Sequence, residues 1–489
     1  MSVPPAAAQP PQEVAAMGSP QASLAILPWL VAVALFMENL DATILNTAVP
    51  TMSHSLGVEP LSLKSVLTSY TLSLAVFIPV SGWMADRFGT RRVFSLAIVM
   101  FTLGSLLCAV AGSPSTLVIA RIIQGMGGAM MMPVGRIALV RSFPRSEMLR
   151  ITTYVIIPAL IGPLIGPSLG GAIIYWFSWR IIFLLNVPFA IVGLWLAHRH
   201  MPDYKDPEVP PLDRWGFVLF GSGVALLSYV LEVFGEHTLS VPVLTVMTVV
   251  SLALLAAYCR HSHGMAAPLL RVSLFSIRTF RLSVMGGFIT RLGVGGMPFL
   301  LPLLYQIGLG FPPWQAGLLT IPLALAAIGM KVISRPLLAR FGHRPVLIVN
   351  TVLLGLTMTL FTQVGQQTSI WLILPLSFAQ GFFSSLQFTS MNTLIFADVD
   401  DRDASKASSI ASTGQQMSAS FGVALASMLT AWFLGGFEQT DPAKTIPALH
   451  QAFLTLGVLT MISSFTFWGL RKSDGDNVSH HHTPTETES

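Results

Sequence analysis

Apolar stretches of about twenty residues recur fourteen times along this 489-residue chain, each long enough to cross a bilayer core of about 30 Å at about 1.5 Å per helical residue. Such a chain folds as a polytopic helical membrane protein, because lipid offers no partners to exposed backbone polar groups. Composition agrees, with 53% hydrophobic and 10% charged residues. A net charge of +5 would suggest nucleic acid in a soluble protein. Here the charges sit in loops beside the spans, so no nucleic-acid partner is expected. Residues 1–23 are rich in Ala, Pro and Gln and hold no Lys or Arg. They are not expected to form a secretory signal, and the first span is expected to serve as an uncleaved insertion signal.

The basic residues set the orientation. Twenty of the 27 lysines and arginines fall in one alternate set of loops and adjoining span ends, against Lys64, Arg180 and Lys444 in the other. The positive-inside rule puts both termini in the cytoplasm, since an even number of spans returns the chain to its starting side. The last four, Arg121, Arg136, Arg291 and Lys331, lie within spans.

An internal repeat is present. Arg-Phe-Gly-x-Arg occurs at 87–91 and again at 340–344, and Gln124-Gly125 returns as Gln380-Gly381, at offsets of 253 and 256 residues. Nearly equal offsets indicate a duplicated six-helix unit. The expected fold is all-α with two six-helix bundles related by a pseudo-two-fold repeat, plus two inserted helices. The expected divisions are a disordered N-terminus at 1–23, a first bundle at 24–200, and a linker with two extra helices at 201–278. A second bundle follows at 279–470 and a disordered tail at 471–489. The histidines at 480–482 read as part of a solvated tail rather than a metal site, and Cys108 and Cys259 as apolar filler without a disulfide.

Charges inside spans point to function, because a carboxylate or guanidinium at that depth costs on the order of 3 kcal/mol to insert. Glu38 and Asp41 lie three residues apart in the first span, on one helical face. Arg121 in the fourth span lies at a depth similar to Asp41, so the two are expected to pair. Arg291 lies mid-span and needs an anionic partner, either one of these acids or a substrate. Lys331 lies deep in the tenth span and can snorkel, and Arg136 more easily still. Gln124, Gln415 and Gln416 are candidate hydrogen-bonding groups for a ligand, with helix packing the alternative for the last two.

Two further motifs suggest conformational change. Gly82 to Arg92 joins the second and third spans, with Gly89 allowing a tight turn. Asp86, Arg87, Arg91 and Arg92 are expected to form a charged latch able to hold one half of the protein against the other, with simple topology anchoring by the arginines as the alternative. Its second copy carries Ala339 in place of Asp86. Gly162, Gly166 and Gly170 make a smooth stripe on the fifth span, bent by Pro163 and Pro167. It reads equally as a packing seam or a hinge, with the prolines favouring the hinge.

These motifs resemble the major facilitator superfamily, specifically its drug:proton antiporter branch with fourteen spans. Leu40 to Pro50 looks like that branch's first-helix motif, Gly82 to Arg92 its loop motif, Arg121 to Gly128 its fourth-helix motif, and Gly162 to Gly171 its antiporter motif. The stretches Gly127 to Arg136 and Tyr305 to Phe311 look closer still to MdtD-type bacterial transporters. That subgroup is described as multidrug exporters, with citrate or iron-citrate export proposed for some members. The resemblance implies a bacterial cytoplasmic-membrane antiporter in which Asp41 couples to protons with Arg121 as its partner. Glu38 lies outside the general motif. The branch's cationic-drug exporters carry further acids in late spans, and spans nine to fourteen here carry none.

The combined expectation is a proton-coupled secondary transporter that exports a small anionic or zwitterionic solute, such as citrate or metal-citrate. Its partners would be substrate, protons and the bilayer, with no cofactor or metal, working as a monomer. The rival readings are a broad exporter of lipophilic drugs and, from another class, a membrane-embedded enzyme or sensor. No catalytic constellation or soluble signalling domain favours the last two.

Overall fold

Lipid-buried chain satisfies its backbone internally, and this protein does so with helices. The computed structural model describes residues 20–144, 147–234, 239–400, 403–435, 439 and 441–479, and every regular element among them is helical. Fourteen helices are long and apolar enough to span a membrane. In order they are Ile26–Thr47, Pro60–Phe88, Thr90–Val110, Pro114–Ser142, Ile157–Trp176, Arg180–His200, Arg214–Phe234, Val241–His263, Arg278–Gly308, Pro313–Phe341, His343–Gln363, Ile370–Ile395, Ala404–Leu434 and Pro442–Gly469. Residues 1–19 and 480–489, with the histidines at 480–482, lie outside the described residues, as do Arg145 and Arg402.

Proline and glycine punctuate the spans. Pro60, Pro114, Pro313 and Pro442 stand at helix starts, where the missing N–H would be unpaired anyway. Gly89 and Gly342 are the sole residues between spans two and three and between spans ten and eleven. Both adopt left-handed backbone, with φ of 99° and 73°. The two copies of the sequence repeat thus make the same turn.

The first six spans pack mainly among themselves, as do the last six, while spans seven and eight pair with each other and span seven leans on spans two and thirteen. Spans two and thirteen also meet, as do spans five and ten, joining the two sets. The join is one-sided. Leu40, Leu45 and Leu67 share a core with Leu300, Leu304 and Phe453, on the face poor in Lys and Arg. Toward the basic face the cores separate. Leu30, Leu74, Phe94 and Val134 belong to one, and Leu347, Met391 and Phe467 to another. Between them a cavity of 610 Å³ lies among spans two, four and thirteen.

The connector to the inserted pair is pinned down. Asp213 accepts hydrogen bonds from the Gly216 and Leu269 amides and contacts His261 Nε2 at 2.8 Å. Burial alone would raise its pKa, but the bonds from His261, Gly216 and Leu269 outweigh that and hold it below the usual carboxylate range.

The expectation of a disordered tail from Arg471 fails for its first nine residues. Asp474 is buried and pairs with Arg278, the Arg471 amide donates to Asp474, and Asn477 donates to the Ala397 carbonyl. A buried carboxylate with a charged partner orders a segment that composition alone marks as polar. At the other end, helix begins at Pro20, inside the stretch expected to be disordered.

Candidate functional site

Glycines let the polar residues meet. A Cβ on Gly104 of span three would lie 2.5 Å from the Gln124 backbone N, and one on Gly125 would lie 2.7 Å from Ser73 Cβ of span two. Gly162 of span five sits against the backbone of Asn39 and Leu40. Such close approach brings five helices around one point near the basic-poor face.

At that point Asp41 is sealed in. Arg121 Nη1 donates to its Oδ2 at 2.5 Å, while Gln124 Nε2 and Asn186 Nδ2 donate to its Oδ1 at 2.8 and 2.9 Å. Arg121 also donates to Gln124 Oε1 at 2.8 Å and to the Val66 carbonyl at 3.3 Å, and lies 4.0 Å over the Tyr70 ring. Asn186 reaches on to Ser105 at 3.0 Å. Asp41, Arg121, Gln124 and Asn186 are all at most 2% exposed. An ion pair at this depth holds together because further hydrogen bonds, from Gln124 and Asn186 to Asp41 and from Arg121 to Gln124 and Val66, accompany the charge contact.

Glu38 differs from its neighbour. Its Oε2 is buried with no hydrogen-bond partner among the described residues, and so is the Tyr70 hydroxyl. Glu38 lies within electrostatic reach of Asp41 and Tyr70. It can exchange a proton without first breaking an ion pair.

The last six spans hold a second polar centre. The ninth span breaks at Gly295 and Gly296, between helices Arg278–Val294 and Met297–Leu303. Arg291 stands in the last turn before that break, 6% exposed. Its Nη2 donates to Asn392 Oδ1 at 3.2 Å, and its guanidinium lies 5.0 Å from the Phe388 ring centroid. Lys331 Nζ donates to Thr389 Oγ1 at 3.1 Å, one turn away on the same twelfth span. Among the described residues no carboxylate lies within ion-pair distance of Arg291 or Lys331. Asp41 is committed to Arg121 and Glu38 makes no ion pair with Arg291 among the described residues, so the first-span acids do not serve as its partner in this conformation.

Sequence reasoning missed Asn186, Asn392 and Thr389. Asn392 and Thr389 lie three residues apart on one face of the twelfth span, but that span also carries Ser377, Gln380, Ser384, Ser385, Gln387, Ser390 and Thr393, so the sequence does not single them out. Gln124 is part of the Asp41 network rather than open to a ligand. Gln415 is exposed and Gln416 half-buried, and neither side chain has a hydrogen-bond partner among the described residues. Gln380, the echo of Gln124, is buried with both amide atoms unpartnered among the described residues.

The latch does not bridge the two sets of spans here. Asp86 pairs with Arg141 of span four at 2.8 Å, and Asp203 of the connector accepts from the Arg91 amide and lies 4.0 Å from Arg92. Arg87 is exposed. The connector occupies the turn that was expected to grip the opposite half, and Gly89 leaves room for the Asp203 carboxylate. The glycine stripe, read as a packing seam or a hinge, packs on span one: Gly162, Gly166 and Gly170 face Leu40, Thr43 and Ile44, and Pro163 and Pro167 lie within a continuous helix.

The sequence profile of the Major Facilitator Superfamily matches residues 31–330 and 283–487. The chain is 41% identical over 426 residues to the provisionally named multidrug resistance protein MdtD of Serratia proteamaculans, covering 87% of this chain and 88% of that one. It is 39% identical over 451 residues to the MdtD protein, likewise provisionally named, of Escherichia coli O157:H7, covering 92% and 96%. Among solved structures, a D-xylose-proton symporter superposes with a TM-score of 0.64 at 16% identity, covering 94% of this chain and 99% of that one, a likeness of fold alone. With fourteen spans, an internal repeat and these matches, the chain belongs to the Major Facilitator Superfamily of membrane transporters.

Proposed function

We propose that this transporter exports a small anionic or zwitterionic solute, such as citrate or metal-citrate, in exchange for protons. It acts as a monomer in the bacterial cytoplasmic membrane, with both termini in the cytoplasm. Residues 24–200 and 279–470 are the two moving bundles, and 201–278 is an insert. The lopsided Lys and Arg distribution supports the orientation. On this reading the described conformation is inward-open, because the bundles share a core on the basic-poor face and part on the basic one.

The observation that carries the substrate reading is Arg291, buried at a helix break with no carboxylate within ion-pair distance among the described residues. Discontinuous spans put such groups next to ligands in transporters. Lys331, Asn392 and Thr389 extend the site, and Gln415 and Gln416 remain candidates for contact. The proton route runs through Glu38 and the Asp41–Arg121 pair. Protonation from the far side neutralises the acid face, loosens its hold on Arg121 and permits the bundles to rock. The latch at Asp86, Arg87, Gly89, Arg91 and Arg92 and the seam at Gly162, Pro163, Gly166, Pro167 and Gly170 accommodate that motion.

The names of the MdtD relatives favour a second reading, export of varied lipophilic drugs. Proteoliposomes under an imposed pH gradient separate the two. Citrate movement lost in Arg291→Ala supports the anion reading. Dye movement that survives Arg291→Ala, with no anion movement in the parent, overturns it.

A further inference from the structure

We propose that the cleft on the basic face is a second, shallower station for the anion, centred on Arg136 and the serines of span thirteen. The proposal rests on the anion reading above and adds a site that reading does not contain. The cleft, 610 Å³ in volume, is walled by spans two and four on one side and span thirteen on the other. Arg136 Nη1 reaches across it to Ser408 Oγ at 3.2 Å. A guanidinium free to snorkel would turn to the lipid headgroups, but this one bonds the opposite bundle.

Charge in the cleft is unbalanced. Arg136, Arg141 and Lys406 line it against Asp86. Asp86 is taken by Arg141, and Lys406 pairs with Asp403 at 3.0 Å. Arg136 has no acid within ion-pair distance among the described residues. It is the uncommitted cation.

The facing wall supplies donors of the matching kind. Ser405, Ser408, Ser409 and Ser412 all line the cleft and recur at helical spacing. A guanidinium presents a planar fork of N–H donors that fits a carboxylate, and hydroxyls opposite can complete its hydrogen bonds. A carboxylate held here touches both bundles. A cationic drug meets repulsion instead.

Initial rates of citrate transport in inside-out membrane vesicles, measured against citrate concentration under a fixed pH gradient, test the station. Arg136→Gln should raise KM about three- to fivefold, the effect of losing one exposed charged contact, with Vmax within about twofold. Arg136→Lys should recover most of the parent KM. The double variant Ser408→Ala with Ser412→Ala should raise KM without touching a charge, which reads the site independently of any folding defect in Arg136→Gln. An unchanged KM in Arg136→Gln and in the serine variant overturns the station. Parent vesicles that move no citrate overturn the anion reading and the station together.

Discussion

Arg121 and Asp41 meet in a contact closed to solvent, while Glu38, three residues from Asp41, keeps a buried oxygen with no hydrogen-bond partner among the described residues. One helical face therefore carries a carboxylate saturated by three donors and another able to exchange its proton alone. The two acids are chemically distinct sites.

Asp41→Asn leaves the Arg121 charge buried without its counterion. The expected loss is about 3–5 kcal/mol of stability, seen as a lower melting temperature in detergent. Asp41→Asn with Arg121→Gln should recover much of that stability without recovering transport. A double variant as unstable as the single one would show that the pair is not the source of the loss.

Glu38→Gln breaks no ion pair, so the melting temperature should stay close to the parent's. The acceleration of transport by an imposed proton gradient should fall. Measurement of transport with and without the gradient decides it, and full gradient dependence in Glu38→Gln would assign proton exchange to Asp41.

Spans five and ten touch backbone to backbone. A Cβ on Gly171 would lie 2.8 Å from the Pro313 carbonyl carbon, and one on Gly317 would lie 2.8 Å from Ser168 Cα. Gly171→Leu and Gly317→Leu must push these helices apart, opening the basic-poor face. Increased thiol labelling of a cysteine introduced at Gln306, whose side chain bonds the Thr47 carbonyl in this closed layer, is the expected readout.

The Asp213 clamp predicts a pH dependence. Its folded-state pKa lies below the ordinary value of 3.8. Its contribution is therefore present above about pH 3.8 and is lost as pH falls through the folded-state value. Asp213→Asn should melt earlier than the parent near pH 7, and the gap should narrow below pH 3.8. A gap independent of pH would assign the clamp to hydrogen bonding without charge.

By itself the sequence determined the number of spans, their helical nature and the repeat, because bilayer thickness and backbone satisfaction leave few alternatives for long apolar stretches. It also brought Asp41 and Arg121 to matching depth. Only the tertiary structure decided which polar groups share a pocket. Asn186 joins Asp41 from a span 145 residues away in sequence, and Gln124 turns inward to the same network. Arg136 faces a cleft rather than headgroups, and Asp86 grips its own bundle. Helical periodicity gives the face a residue occupies but not the neighbour that face meets. That neighbour depends on glycine-scale contacts between helices distant in the chain, such as Gly104 on Gln124 and Gly171 on Pro313.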